Sequence, residues 1–145
     1  MKIKRFSVNR NNEVKQFVLR VLAEEGFGYD KFKDFDLDDI NGYYLINGGM
    51  FFIGIQDGKI IGTSAVYRKN ENKCEIKRIY VKKEFREMGY GKDLFLHALD
   101  YARNKCQRII LKTDRSLVKA INMYLKYGFS IVKEENDTLF LHYDA

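Results

Sequence analysis

Apolar residues recur along this chain with two different periods, and the switches between them mark its elements. Ile3 to Val8 alternates as a strand. Asn11 or Asn12 can then cap a helix on which Val14, Phe17, Val18, Val21 and Leu22 share one face. Met50 to Gln56 and Lys59 to Tyr67 read as strands joined at Asp57-Gly58, a pair suited to a tight hairpin turn. A polar turn at Asn70 to Lys73 follows, and then an extended segment from Glu75 to Val81. Leu94, Phe95, Ala98, Leu99 and Ala102 form one helical stripe, with Arg103 and Lys105 at the negative end of its dipole. The Ile109-Ile110-Leu111 run makes Arg108 to Thr113 a buried strand. Leu117, Val118, Ile121 and Leu125 mark the face of a further helix, which Gly128 is placed to end. Ser130 to Glu134 and Thr138 to Tyr143 pair as a hairpin around Asn136-Asp137. This layout predicts an α/β fold. No repeat, low-complexity tract or linker divides residues 1–145, so a single domain is expected.

One break in the alternation is informative. Cys74 and Ile76 share a face, as do Ile79 and Val81, but the step from 76 to 79 violates the period of two. One extra residue, a β-bulge near Lys77-Arg78, would put all four on the same side. A plain strand with one slip is the other reading.

Directly after this segment stands Arg86-Glu87-Met88-Gly89-Tyr90-Gly91-Lys92, where strand gives way to helix. Its two glycines allow a positive φ or a close approach to a ligand. The first turn of the helix offers unpaired N–H groups and the positive end of a dipole, and Arg86 and Lys92 add charge at either end. The chemistry suits a pyrophosphate. The spacing is neither a P-loop nor a dinucleotide fingerprint, and the glycines alone would serve equally well to turn the chain.

The context decides between those readings. From Glu75 to Phe129 the sequence resembles the GCN5-related N-acetyltransferase (GNAT) family. That family binds the pyrophosphate of acetyl-CoA through Gln/Arg-x-x-Gly-x-Gly/Ala, and Arg86, Gly89 and Gly91 match it in register. Ala120-Ile121-Asn122-Met123-Tyr124-Leu125-Lys126-Tyr127-Gly128-Phe129 is similar to the family's Ala-x-x-x-Tyr-x-x-x-Gly-Phe segment. The first ~70 residues follow only by general layout. The resemblance implies a mixed, mostly antiparallel sheet, splayed at the acetyl-CoA site and flanked by about four helices. It also implies a bulge in the Glu75–Val81 strand, with the pantetheine arm paired to the backbone of Ile79, Tyr80 and Val81. Arg86, Glu87, Met88, Gly89, Tyr90, Gly91 and Lys92 would cradle the phosphates. No metal is implied.

The implied reaction is aminolysis of a thioester by direct attack in a ternary complex. The amine must lose a proton, the oxyanion needs a fixed donor such as a backbone N–H, and the departing thiolate takes a proton. Tyr124 matches the family's tyrosine in the role of acid; its other reading is a core aromatic one turn from Ile121. Glu75 aligns with the glutamate that heads this strand in histone-type members and is the candidate base; it could also be an exposed glutamate with no task. His97 and His142 fit surface positions. A non-catalytic acyl-CoA-binding module and an enzyme using another acyl chain are the alternatives.

Three departures from the family pattern stand out. Lys83 replaces a proline often found before the arginine, Glu87 replaces a glycine, and Leu117 replaces an asparagine that contacts the cofactor. Ser116 or Asn122 could substitute for that contact, and the Glu87 side chain must point away from the phosphates.

Composition narrows the partners. The 145 residues are 46% hydrophobic, with ten Tyr and eleven Phe, enough for a full core. No apolar run reaches transmembrane length and no signal peptide is evident, so a cytoplasmic protein without a membrane partner is expected. Cys74 and Cys106 lack metal-binding spacing and read as two buried thiols rather than a disulfide. The net charge of +6 raises nucleic acid as a partner, but Lys and Arg are spread and interleaved with acids, which argues against it. CoA is a sufficient anionic partner. The expected acceptor is a small-molecule or peptide amine, and a homodimer is left open. Residues 27–44 combine Phe27, Tyr29, Phe32, Phe35, Tyr43 and Tyr44 with Asp30, Asp34, Asp36, Asp38 and Asp39. Either this is an aromatic and acidic lining for a cationic amine, or a solvated helix-loop-helix with core aromatics.

Overall fold

In the computed structural model, which describes residues 1–145, the extended segments pair into one seven-stranded sheet. Its strands are β1 (Lys2–Arg5), β2 (Met50–Gln56), β3 (Lys59–Arg68), β4 (Lys73–Val81), β5 (Arg108–Asp114), β6 (Ser130–Glu135) and β7 (Thr138–Asp144). Their spatial order is β1-β2-β3-β4-β5-β7-β6. Only β4 and β5 run parallel; every other neighbouring pair is antiparallel. A parallel pair needs a crossover, and α2 (Tyr90–Arg103) provides it. Two further α-helices, α1 (Asn11–Glu24) and α3 (Val118–Lys126), and short 3-10 or π turns complete the fold. The Asp57-Gly58 turn takes left-handed angles at both residues, φ 52° and 75°, as a two-residue hairpin of this hand requires.

Each face of the sheet carries its own core. Phe95, Ala98, Leu99 and Ala102 of α2 pack with Ile121 and Tyr124 of α3 on Ile76, Ile109, Leu111 and Leu141. On the other face Val14, Phe17, Val18 and Val21 of α1 cover Phe51, Ile53 and Ala65, together with Leu37, Ile40 and Tyr44. No helix is long and apolar enough to cross a membrane.

Several local expectations are corrected. β1 ends at Arg5, and Val8–Arg10 is a 3-10 turn. Asn11 does not cap α1; its side chain donates to the Leu37 carbonyl and accepts from the Ile40 N–H, both at 2.9 Å, and so pins the 37–40 segment. On α3 only Ile121 and Tyr124 are buried, while Leu117, Val118 and Leu125 are exposed. The apolar spacing was right for Ile121 but set the rest of the buried face to one side of Tyr124. Residues 27–44 form no α-helix; a 3-10 turn at Phe35–Asp38 and a π turn at Asn41–Leu45 interrupt a loop. Cys74 and Cys106 are joined as a disulfide, with Cα atoms 5.9 Å apart. The crossover causes this: it returns the chain so that Lys73 and Arg108 are register partners at the start of the parallel pair.

Candidate active site

The parallel pair is short. β4 and β5 are in register from Lys73↔Arg108 to Glu75↔Ile110 and no further, whereas β5 stays on β7 as far as Asp114↔Thr138. From Ile76 onward the edge of β4 toward β5 therefore carries free N–H and C=O groups. A bulge causes the parting. Thr63 pairs with Tyr80 and Ala65 with Lys77, which leaves Arg78 and Ile79 opposite Ser64. Arg78 takes φ 56°, and the Thr63 hydroxyl donates to its carbonyl at 2.7 Å. The extra residue keeps Cys74, Ile76 and Ile79 against the α2 core, as the break in the period predicted. Val81 stays on that side too, 3.7 Å from where a Cβ on Gly91 would lie. The gap is a cleft of about 250 Å³ lined by Ile76–Tyr80, Leu111–Asp114, Leu117 and Tyr124.

The glycine loop borders this gap. Arg86 Nε donates to the Val81 carbonyl at 2.9 Å, which ties the loop to the end of β4. Glu87 and Gly89 both have positive φ, 65° and 86°, and Gly89 precedes the first turn of α2. A Cβ at Gly89 would meet nothing within 4 Å, so the backbone there faces open space beside the helix N-terminus. The Glu87 side chain points away from it and pairs with Lys119 of α3 at 2.6 Å. That contact brings the first turn of α3 beside the loop; Lys119 also holds the Glu87 carboxyl below its usual range. Met88 and Lys92 are exposed. The Tyr90 hydroxyl donates to Gln56 at 3.2 Å instead of pointing to the loop.

Tyr124 reaches the gap from α3. Its ring packs on Phe95 and Phe129, with centroids 5.0 and 6.2 Å away. Burial pushes its hydroxyl up to about 12. No protein group hydrogen-bonds that hydroxyl, yet no fully enclosed side-chain polar atom lacks a partner, so the oxygen opens into the cleft. Asn122 is exposed on α3 and does not line the gap. Glu75 lies on the opposite face of β4 and is only 5% exposed, not the free surface glutamate that was the other expectation. Lys69 Nζ at 3.5 Å and Lys112 Nζ at 4.0 Å flank its carboxylate. His97 is exposed and His142 half-buried, and neither lines the gap.

The site also contains a buried network that sequence reading missed. Arg78 Nη2 meets Asp34 at 3.0 Å and Asp36 at 2.7 Å, Nε meets the second Asp36 oxygen at 3.0 Å, and the Tyr44 hydroxyl donates to Asp36 at 2.6 Å. Burial opposes the charge on Arg78, and Asp36 more than offsets it. The acids of residues 27–44 are thereby used within the fold. Asp38 pairs with Lys15 and Tyr29, while Asp30 and Asp39 cap their own turns. Tyr44 is core, whereas Phe27, Tyr29, Phe32 and Phe35 are exposed. Neither expectation for this segment holds as stated. It forms one wall of a larger cleft, about 890 Å³, whose floor is Glu75–Arg78, Tyr80 and Lys112. This cleft and the gap meet at Ile76, Lys77, Arg78, Tyr80 and Lys112.

The zebrafish (Danio rerio) N-acetylaspartate synthetase is 30% identical over 105 residues, which is 70% of this chain but only 37% of that protein. The structure of a GNAT-family acetyltransferase from Staphylococcus aureus Mu50 superposes with a TM-score of 0.85 at 23% identity, over 99% of this chain and 98% of that one. A GNAT acetyltransferase from Elizabethkingia anophelis, solved with acetyl-CoA bound, superposes with a TM-score of 0.72 at 21% identity, over 99% and 97% of the two chains. The model of the acetyltransferase (GNAT) family matches residues 16–129, which contain the bulge, the glycine loop and Tyr124. Sequence and fold agree: the chain belongs to the acetyltransferase (GNAT) family.

Proposed function

We propose that the protein moves an acetyl group from acetyl-CoA to a primary amine by direct attack in a ternary complex. The observation that carries this is the parting of β4 and β5 at the bulge, with the Gly89 loop at one end and the open Tyr124 hydroxyl within it. The residues fit the co-substrate. The N–H groups of Gly89 to Lys92, with Arg86, would hold the pyrophosphate. The free edge of Ile79, Tyr80 and Val81 would pair with the pantetheine amides. The Elizabethkingia acetyltransferase, which shares this fold and was solved with acetyl-CoA bound, supports the same assignment.

The thioester supplies the activated acyl carbon; the rest falls to the chain. A backbone N–H on the free edge of β4 faces the oxygen that gains charge. Glu75, approached from the larger cleft, takes the proton of the amine, directly or through water. Tyr124 stays protonated and donates to the sulfur as it leaves. A cytoplasmic setting, where acetyl-CoA is supplied, is part of the same reading. The test is to incubate the protein with acetyl-CoA and a panel of amines and follow free thiol. Amine-dependent release is expected; an acetyl-CoA complex that releases no thiol with any amine leaves only a binding module.

A further inference from the structure

Resting on the acetyltransferase reading, we propose that the acceptor is a small amine that itself carries carboxylate, of the amino-acid class, seated with its amine at Glu75 and its carboxylate at Lys77 and Lys112. The argument is a balance of charge in the larger cleft. Its acids are engaged: Asp34 by Arg78 at 3.0 Å, Asp30 by the N–H groups of Phe32 and Lys33. Arg78 is engaged in turn by Asp34 and Asp36. The floor carries Glu75, flanked by Lys69 and Lys112, and the two cations Lys77 and Lys112.

Lys77 is half-buried and has no carboxylate within 4.0 Å; its ammonium rests over the rings of Tyr43 and Tyr67, 5.5 and 5.7 Å from their centroids. Burial holds it below its ordinary pKa, a cost that an incoming carboxylate would reverse. Lys112 has only Glu75, at 4.0 Å, and shares it with Lys69. Glu75 in turn is reached by ammonium groups at 3.5 and 4.0 Å. A polycation entering this cleft would meet Lys77 and Lys112 without free carboxylates to balance it. An amine bearing carboxylate satisfies both signs. Glu75 and Lys77 stand two residues apart on one face of β4, roughly 6.5–7 Å along the strand, a span suited to an amine and a carboxylate a few bonds apart.

The experiment compares kcat/KM for L-aspartate and L-glutamate with that for propylamine and spermidine, in the parent and in Lys77→Gln and Lys112→Gln. A tripeptide beginning with Asp tests whether the carboxylate comes from a free amino acid or a chain. Carboxylate-bearing amines are expected to lead by about tenfold or more, and each variant to shrink that lead by about tenfold. Circular dichroism and the melting shift with acetyl-CoA confirm that the variants remain folded. A tripeptide as good as free aspartate keeps the charge rule and places the carboxylate on a side chain. Preference for propylamine or spermidine, or a lead unchanged in folded Lys77→Gln and Lys112→Gln, overturns the proposal and leaves the acetyltransferase reading standing. No turnover of any amine removes both.

Discussion

Tyr124 shows at the residue scale how a packed aromatic becomes a chemical group. Its hydroxyl is pushed up to about 12 by burial, so it remains a donor throughout the physiological range. A thiol of ordinary pKa about 8.5 is the stronger acid, so full proton transfer from the tyrosine to a thiolate runs uphill. Its contribution is then a hydrogen bond that strengthens as the sulfur gains charge. Tyr124→Phe keeps the contacts with Phe95 and Phe129 and removes only a hydroxyl without a protein partner. We expect kcat to fall by roughly 10²-fold, the low end for acid–base catalysis, with the KM for acetyl-CoA nearly unmoved. A kcat within about threefold of the parent would remove Tyr124 from the reaction. A second readout follows from linkage. The folded pKa lies above the ordinary tyrosine value of about 10, so the protonated form is favoured by folding; that stability is intact below about pH 10 and is lost as pH rises toward about 12. Denaturant unfolding should show the variant losing less stability over that window than the parent. Tyr124, Gly89 and Glu75 could be singled out as candidates from the sequence because the proposed reaction restricts residue type and spacing at each. Arg78 was not, because its partners Asp34 and Asp36 lie 44 and 42 residues away and no local pattern joins them.

At the scale of elements, the bulge in β4 and the connection between α1 and β2 depend on one another through that arginine. Arg78 sits at a left-handed φ, and its guanidinium fastens residues 33–36 over the cleft floor. Removing one member of a buried ion pair strands the other, at a cost of about 3–5 kcal/mol, whereas an exposed pair contributes about 0–1 kcal/mol. Asp36→Ala and Asp38→Ala therefore form a controlled comparison, because Asp38 pairs with Lys15 in solvent. Urea unfolding should place the first loss several-fold above the second; equal losses would mean the network does not hold the wall. The elements themselves were largely legible. The hairpin at Asp57-Gly58, the stripe on α2 and the break that signals the bulge all follow from local periodicity and turn chemistry. The misses share a cause, namely tertiary partners that override local preference. Asn11 is drawn from capping into bonds with Leu37 and Ile40, the buried face of α3 is set by Phe95 and Phe129 rather than by its apolar spacing, and Cys74 finds Cys106 only because α2 returns the chain.

For the whole molecule, the parting of β4 from β5 means that one sheet supports two cores and leaves a seam between them. A ligand in that seam would touch β4, β5, the start of α2 and the side of α3 at once, so its binding energy would bear on global unfolding rather than on one loop. Acetyl-CoA and CoA should both raise Tm for this reason. Binding to the folded state alone stabilises by about 2.7 kcal/mol at a hundredfold excess over Kd. For a domain of this size that corresponds to roughly 5–15 °C. NAD and ATP also carry phosphates and adenine, and they can reach the Gly89 turn, but they have no amide arm to pair with the free edge of Ile79 to Val81. Their shifts should be much smaller. Differential scanning fluorimetry at matched concentrations separates the cases. Equal shifts from CoA and ATP would reduce the site to a general phosphate cradle, and no shift with millimolar acetyl-CoA would show that the seam does not take the thioester at all.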